Sequence, residues 1–410
     1  MSMSVTIGGP DRTVMLARSS LRVSAPINGA ASASFTLKDP LGTYWPDVGA
    51  PVDIYDENGT LIFGGSVDEP DSSQQLGTAK PMWTATRCSD WHYLLDRRIV
   101  VQTYQGKTVD WIVGDLITRY LAADGISAGS ISAGPTIDDV RFNYKTFASA
   151  LNYLSTQSGL QWVCRPDKTL DFFTPGTFPA SIGIADASPL VGAPQVRRNR
   201  QHYRNRQWVR AGKGPTATQV DDFAGDGKRR TFTCRLPLAA APTVTVNSVN
   251  QTVGVRSVDS GMDYYWASGS KDVTQDISLP ILASTDLLEV TYTGLYPIIV
   301  RVDDAAAQQY RASVEGGSGV YENVVDAPDL RTTASATAYG QGLLARWAYI
   351  QIELTFQIDG AGLVPGQMLS VDLPEHGLNG SFFISQIDWS DPGRQDGVLR
   401  QKVTCLGAER

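Results

Sequence analysis

The chain has 410 residues, of which 42% are hydrophobic and 19% are charged. This length allows roughly two to four domains, and the composition excludes a disordered or fibrous protein. The formal net charge of −7 argues against a general nucleic-acid-binding protein, which would carry a basic balance. No apolar run approaches the ~18 residues that a membrane helix needs, and the N-terminus lacks a signal pattern, so we expect synthesis in a cytoplasm without membrane anchoring.

Residues 1–101 contain short alternating runs that are broken at turn signals such as Asn28-Gly29 and Asn58-Gly59. This spacing is typical of antiparallel barrels and sandwiches. It predicts an N-terminal β-domain over residues 1–101. A β-like stretch that begins at Arg87 leads into the next module and should end at the turn signal Gln105-Gly106.

Two amphipathic helices interrupt the β-pattern within residues 102–178. Thr108 can cap the first helix, which Asp124-Gly125 ends, and a second helix runs from Thr146 to Gly159. Apolar residues recur at three-to-four spacing in both: Val109, Ile112, Val113, Leu116, Ile117, Tyr120 and Leu121, then Phe147, Ala150, Leu151 and Leu154. A hairpin follows, with its turn at Pro166-Asp167-Lys168. These residues are predicted to form a helix-helix-hairpin α+β domain.

Residues 179–215 are predicted to be connecting strands, and they carry a basic cluster: Arg197, Arg198, Arg200, His202, Arg204, Arg206, Arg210 and Lys213. One interpretation is a contact with an acidic neighbouring subunit or with DNA, in which Tyr203 and Trp208 stack on bases. These two aromatics do not share a strand face, which favours ordinary strands with solvated or intersubunit salt bridges. The candidates for an intersubunit contact are Arg198, Arg200, Arg204 and Arg206.

The remaining chain returns to β-patterns. Residues 216–302 alternate apolar and polar residues, as in Pro242 to Asn247, and predict an inserted β-sandwich. Residues 303–348 are predicted to be a return segment with a helix between Ala334 and Trp347. Residues 349–410 alternate again and predict C-terminal β-strands.

No constellation of residues indicates a catalytic, cofactor or metal site. The histidines His92, His202 and His376 lack ligand spacing, and the four cysteines are too dispersed for a metal site. The cysteines Cys88, Cys164, Cys234 and Cys405 are predicted to be buried free thiols. Paired acids such as Asp138-Asp139 point to opposite faces of a strand, and the glycine run after Glu315 lacks the Lys-Ser/Thr ending of a phosphate-binding loop. We therefore expect neither an enzyme nor a cofactor.

Five turn-and-strand segments follow one another along the chain: Ile27 to Phe35, Gly49 to Ile54 and Gly59 to Val67 near the N-terminus, and Gly362 to Leu369 and Phe382 to Ile387 near the C-terminus. In this order they resemble the hub proteins of bacteriophage tail baseplates, a family with relatives in contractile injection machines. The resemblance covers nearly the whole chain. It implies a mainly β fold with an α+β module: two β-barrel-like hub domains, of which residues 349–410 complete the second, a helix-helix-hairpin domain and an inserted β-sandwich.

The resemblance also implies a structural role in a virion tail assembled in a bacterial host cytoplasm. A homotrimer with two barrels per protomer would form a pseudo-sixfold ring through head-to-tail contacts. This hub would join the distal tail protein ring to tail fibre, spike or tip proteins, with the tape-measure protein in its channel. Genome DNA would later pass through without specific binding, because a neutral or acidic wall does not hold phosphates.

Two alternatives come from other classes of protein. A carbohydrate- or receptor-binding tail protein could stack sugars on tryptophans; the candidates are Trp45, Trp83, Trp91, Trp266 and Trp389. Aromatic residues are more often in the core, however, and the spacings indicate no exposed cluster. A tail-associated lysin would instead clear peptidoglycan.

Overall fold

The computed structural model describes residues 2–74 and 81–408, and strands predominate over helices there. Contacts divide the chain into two compact units. The first contains residues 1–207, 303–323 and 341–410, and the second contains residues 208–302 and 324–340. No helix among the described residues is long and apolar enough to cross a membrane.

The N-terminal strands alternate buried and exposed residues and form the first half of a large sheet. They are β1 (Ser4–Ile7), β2 (Arg22–Pro26), β3 (Ser32–Asp39), β4 (Pro51–Tyr55), β5 (Leu61–Gln74) and β6 (Met82–Asp90), and their order in the sheet is β1-β4-β5-β6-β3-β2. On β6 the inward face carries Met82, Thr84, Thr86, Cys88 and Asp90. Period-two alternation thus predicted this β-region correctly.

An α+β module follows. Its elements are α1 (His92–Asp96), β7 (Ile99–Thr108), α2 (Val109–Tyr120), β8 (Ser127–Ile131), β9 (Thr136–Thr146), α3 (Phe147–Ser158), β10 (Gln161–Cys164) and β11 (Thr169–Phe173). Strand β7 pairs with β9, and β10 pairs with β11, which also pairs with β8. Every apolar residue predicted to line the two helices is buried except Tyr120, which packs against their core while partly exposed.

Both predicted helices are confirmed. The ends of α3 show the expected signals, whereas α2 ends at Tyr120, because a separate short turn from Ala122 to Asp124 precedes Gly125. The hydroxyl of Thr146 accepts a hydrogen bond from the Ser149 amide at 3.2 Å, and Gly159 closes α3 with φ 76°. Thr108 occupies the N-cap position of α2 but makes no side-chain capping bond. The predicted Pro166 hairpin is also confirmed, because Gln161 pairs with Phe173 across it.

Three features of this module differ from the sequence prediction. Gln105-Gly106 is not a turn, because β7 continues to Thr108 with Gln105 opposite Asp139. Gly106 takes φ 58° inside the strand, a conformation that glycine tolerates there. The short helix α1 was missed, and so were β8 and β9, which lie between the two predicted helices.

Two strands, β12 (Phe178–Ala185) and β13 (Gln195–Asn199), lead out of the module. The chain then forms two further sheets. Their strands are β14 (Arg206–Ala224), β15 (Thr231–Thr233), β16 (Thr243–Val246), β17 (Val249–Asn250), β18 (Val253–Val255), β19 (Tyr264–Trp266), β20 (Asp272–Gln275), β21 (Leu287–Asp303) and, after helix α4 (Ala305–Glu315), β22 (Glu322–Ala327).

The two sheets of the second unit pack around one apolar core. Their orders are β17-β16-β21-β14-β22 and β15-β20-β19-β18. Val244 and Val290 of the first sheet and Phe232 and Val273 of the second lie in this core, which is the packing that a sandwich requires.

The last elements return to the large sheet of the first unit. Helix α5 (Thr333–Trp347) precedes β23 (Gln351–Asp359), β24 (Gln367–Leu373), β25 (Leu378–Ser390) and β26 (Arg400–Ala408). Strand β2 pairs with β25, with Arg22 opposite Ser390, so strands from both ends of the chain form one 12-stranded sheet with a shared core.

The mainly β fold is therefore confirmed. Among the described residues no sheet closes on itself, so the two regions predicted to be barrels are parts of one continuous open sheet. The predicted domain boundaries stay predictions.

Candidate interface

The basic cluster predicted from the sequence begins on β13, which is the last strand in the order of the 12-stranded sheet. Arg198 lies opposite Ile352 of β23, and its Nη2 donates to the carbonyl oxygen of His376 at 3.1 Å. Both Arg197 and Arg198 are exposed. The sheet edge therefore carries two adjacent guanidinium groups that solvent or a partner can reach.

Two of the four candidate arginines form ion pairs within the protomer. The distance from Arg200 Nη1 to Glu315 Oε1 is 3.2 Å, and Glu315 also pairs with Arg311. Arg206 binds Asp303 and, at 2.9 Å, Glu322. A hydrogen bond to the carboxylate of Asp303 is the main cause that raises the pKa of Arg206. A hydrogen bond from the Tyr321 hydroxyl is the main cause that lowers the pKa of Glu315. These pairs attach the start of β14 to residues 303–322.

Arg204 belongs to an aromatic contact instead. Its guanidinium lies 5.7 Å from the centre of the Trp347 ring, and its Nη1 donates to the carbonyl oxygen of His202 at 3.4 Å. The His202 ring also contacts Trp347, with 5.0 Å between ring centres. Arg204 is half-buried, whereas Arg198 and Arg200 are exposed. The structure thus gives the four arginines different surroundings, and their intersubunit role stays a proposal.

A buried polar residue lies between the arginines. Asn205 is fully buried; its Nδ2 donates to Gly319 O at 2.7 Å, and its Oδ1 accepts from the Tyr321 amide at 2.8 Å. Its backbone carbonyl accepts from the amide of Asp304 at 3.0 Å. Sequence reasoning missed this residue, although Asn205 and Gln207, both buried, alternate with arginines at 204 and 206. This alternation of amide and arginine side chains was the pattern in the sequence that could have identified Asn205 as an inward-facing residue.

The two aromatics of the cluster have different partners. Tyr203 packs edge to face on Tyr321, with 5.0 Å between ring centres. Trp208 lies 5.9 Å from the guanidinium of Arg301. Each of the two rings is therefore engaged by a residue of its own protomer.

The tryptophans of the carbohydrate-binding alternative divide into two groups. Trp266 and Trp389 are 8% and 2% exposed and belong to apolar cores. Trp45 and Trp83 are exposed, and Lys38 lies over the Trp83 ring at 4.9 Å. Trp91 is half-buried and donates from its indole nitrogen to the carbonyl oxygen of Pro166 at 2.8 Å. The core positions and the Trp91 contact reduce the surface that could stack on sugars.

The four cysteines are buried free thiols, as predicted. Burial is the main cause that raises the pKa of Cys88 and Cys405 to about 12 and that of Cys234 to about 11. A raised pKa keeps a thiol protonated and poorly nucleophilic. Within residues 2–74 and 81–408, no three His, Cys, Asp or Glu side chains form a group that could hold a metal ion.

No family model matches the chain, and no curated protein matches it in sequence. Three solved structures share its fold over almost their full lengths. The 43 kDa tail protein of prophage MuSo2 from Shewanella oneidensis is 10% identical, with 98% of this chain and 97% of that chain covered and a TM-score of 0.59.

A tail protein from Neisseria meningitidis MC58 is 12% identical, with 99% and 96% of the two chains covered and a TM-score of 0.58. The prophage tail protein gp18 from Listeria monocytogenes EGD-e is 10% identical, with 100% and 95% covered and a TM-score of 0.57. The chain therefore has the fold of phage tail proteins. The expected likeness to phage tail proteins is confirmed at the level of the fold.

Proposed function

We propose that the protein is a structural component of a phage tail, where a homotrimer forms the hub of the baseplate or tail tip. In this role it joins the sixfold distal tail protein ring to tail fibre, spike or tip proteins. It also surrounds the channel that holds the tape-measure protein and later conducts the genome.

The observation that carries this proposal is the likeness of fold to three tail proteins, which extends over 95% or more of each of those chains. A likeness confined to one sheet would fit many β-proteins, whereas here the helical module and both ends of the chain match together. The continuous sheet gives the proposal a physical basis. Because β2 pairs with β25, the N-terminal and C-terminal strands form one cohesive body, as a ring component under mechanical load requires.

The exposed arginines at the sheet edge supply a candidate contact between protomers. Edge strands pair readily with other chains, and charged side chains on them restrict which partner fits. An acidic surface of the neighbouring protomer would complement Arg198 and Arg200, since the protein as a whole is acidic. Contacts of this head-to-tail kind produce a closed ring when each interface rotates by one third of a turn.

Negative-stain electron microscopy together with mass photometry tests the proposal. Threefold rings with an open centre, formed alone or on addition of the distal tail protein, are the expected result. Monomers that stay compact in both conditions would contradict it. Glycan-array binding would favour the receptor-binding alternative, and clearing of peptidoglycan would favour the lysin.

A further inference from the structure

A cavity of about 510 Å³ lies inside the first unit, where the N-terminal strands, the β10–β11 hairpin and the segment before β24 meet. Its walls are largely apolar and include Phe63, Val163, Phe178 and Val364. Ligand sites in proteins occupy roughly 300–1,000 Å³, with apolar walls and a few polar groups. This cavity therefore has the size and lining of a small binding site.

Asp90, at the end of the inward face of β6, is one of the residues that line this cavity. Asp90 is 6% exposed, its Oδ1 accepts a hydrogen bond from the His92 amide at 3.2 Å, and its carboxyl group also accepts a backbone hydrogen bond from Ala31. Among the described residues, no Lys, Arg or His side chain forms an ion pair with Asp90. A buried carboxylate without a cation is costly, and burial is the main cause that raises the pKa of Asp90 to about 7, although the two backbone hydrogen bonds oppose the increase.

The other two acids that line the cavity are already satisfied. Asp171 binds Arg165 at 2.7 Å and accepts from the amide of Ser130 at the same distance. Asp167 is exposed and accepts from the hydroxyl of Thr169 at 2.7 Å. Arg165 also lines the cavity, but it is engaged by Asp171 and by the carbonyl oxygen of Pro365. Its guanidinium lies 5.2 Å from the centre of the Phe178 ring. Asp90 is therefore the lining carboxylate that has no ion-pair partner in the described part of the chain.

We propose that this cavity binds an organic cation, an ammonium or guanidinium group on an apolar body, with the cationic group on Asp90. The apolar body fills the space beside Phe63 and Phe178, and the cation supplies the counter-charge that the protein does not provide. A charge-assisted hydrogen bond in a water-poor site is stronger than one in solvent. A neutral ligand of the same shape gains the apolar contacts only.

The same chemistry has two possible sources: a free small cation, or a Lys or Arg side chain of a partner protein. Isothermal titration calorimetry at pH 8 with phenethylammonium and with a capped arginine amide distinguishes them. Tighter binding of phenethylammonium identifies a free cation, and tighter binding of arginine amide identifies a partner's side chain. In both cases 2-phenylethanol, the neutral analogue of phenethylammonium, should bind at least about tenfold more weakly than the preferred cation.

Two variants and one control test the role of Asp90. Asp90→Asn keeps the shape but removes the charge, and it should weaken cation binding by about tenfold or more. Gly29→Leu adds a bulky side chain at a residue of the cavity wall; an added Cβ there has no contact closer than 3.4 Å and no left-handed φ. Binding should be lost in this variant too. Asp167→Asn, at the exposed rim, should bind as the wild type does.

The proposal is overturned if neither cation binds saturably, or if 2-phenylethanol binds as tightly as phenethylammonium. Wild-type affinity in Asp90→Asn or in Gly29→Leu would overturn it as well. If Asp90→Asn fails to fold, Gly29→Leu and the neutral analogue still test whether the cavity binds an organic cation. The measurement uses the isolated protein, so its outcome does not depend on trimer formation.

Discussion

The side-chain amide of Asn205 donates a 2.7 Å hydrogen bond to the carbonyl oxygen of Gly319, which is 114 residues further along the chain. Asn205 also accepts from the amides of Tyr321 and Asp304, one through its side chain and one through its backbone. A single buried residue thus holds two distant segments of the first unit beneath the surface that carries the arginines.

Asn205→Leu should lower the free energy of unfolding by about 2–4 kcal/mol, because it leaves the Gly319 carbonyl and the Tyr321 amide without their partner. Urea denaturation of wild type and variant measures this difference. Asn250→Leu on exposed β17 is the matched control, and its change should stay within about 0.5 kcal/mol. Equal effects at both positions would refute a special role for Asn205.

Gly64→Ala should destabilise the protein by about 2 kcal/mol or more, because the added Cβ would lie 2.1 Å from the carbonyl oxygen of Pro166. That oxygen also accepts the indole hydrogen bond of Trp91, so the hairpin turn cannot withdraw without losing it. Thermal unfolding gives the comparison. Gly114→Ala in α2 meets nothing within 4 Å and should instead stabilise by about 0.5–1 kcal/mol. Destabilisation by both substitutions would contradict this explanation.

The double variant Arg198→Glu plus Arg204→Glu should abolish or strongly reduce ring formation while the protomer stays folded, because it reverses the charge offered to an acidic neighbour. Mass photometry counts trimers, and circular dichroism verifies the fold. Lys228→Glu plus Lys271→Glu changes the net charge equally at exposed positions of the second unit. Unchanged assembly of the arginine variant would exclude these residues from the interface.

Asp90 should make the wild type less stable as the pH rises. Its folded pKa of about 7 lies above the ordinary aspartate pKa of 3.8, so the folded state holds the proton more tightly. Stability attributable to Asp90 is therefore full below about pH 4 and falls as the pH rises toward 7. Asp90→Asn lacks this dependence, and its unfolding free energy relative to wild type should rise between pH 4 and 7.5 by on the order of 1–4 kcal/mol.

Urea titrations of both proteins across that range measure the difference. The nearby His92 and Asp96 are present in both, so their contributions largely cancel in the comparison. A constant difference between wild type and variant would show that Asp90 does not titrate in this way.

The sequence predicted the elements whose period is local and strong. The apolar spacing from Val109 to Leu121 defined α2, and Thr146 with Gly159 marked both ends of α3. Strand β8 was missed because Ser127 to Ile131 is small, polar and largely exposed, and its pairing with β11 is non-local. Gly106 was misread because glycine with positive φ normally marks a turn, whereas here the pairing of β7 with β9 continues on both sides of it.

The candidate site was predicted only in part. Positive charge at Arg198 to Arg206 is visible in the sequence, but the acids that neutralise Arg200 and Arg206 lie about a hundred residues away. Asp90 has no ion-pair partner among the described residues. Which side chains surround it is decided by tertiary packing, which the sequence pattern does not show. The likeness of fold to tail proteins could be predicted because the turn and strand segments keep their order along the chain.

The pairing of β2 with β25 has a consequence for biosynthesis. Ser24 and its partner Asp388 are 364 residues apart, so at about 5–20 residues per second the ribosome needs roughly 20–70 s to deliver the second after the first. During that interval β2 has an unpaired edge, which in a crowded cell invites aggregation. Arg22 and Pro26, at the two ends of β2, are residue types that discourage such pairing. These two residues therefore reduce the risk of aggregation until the C-terminal strands have been synthesised.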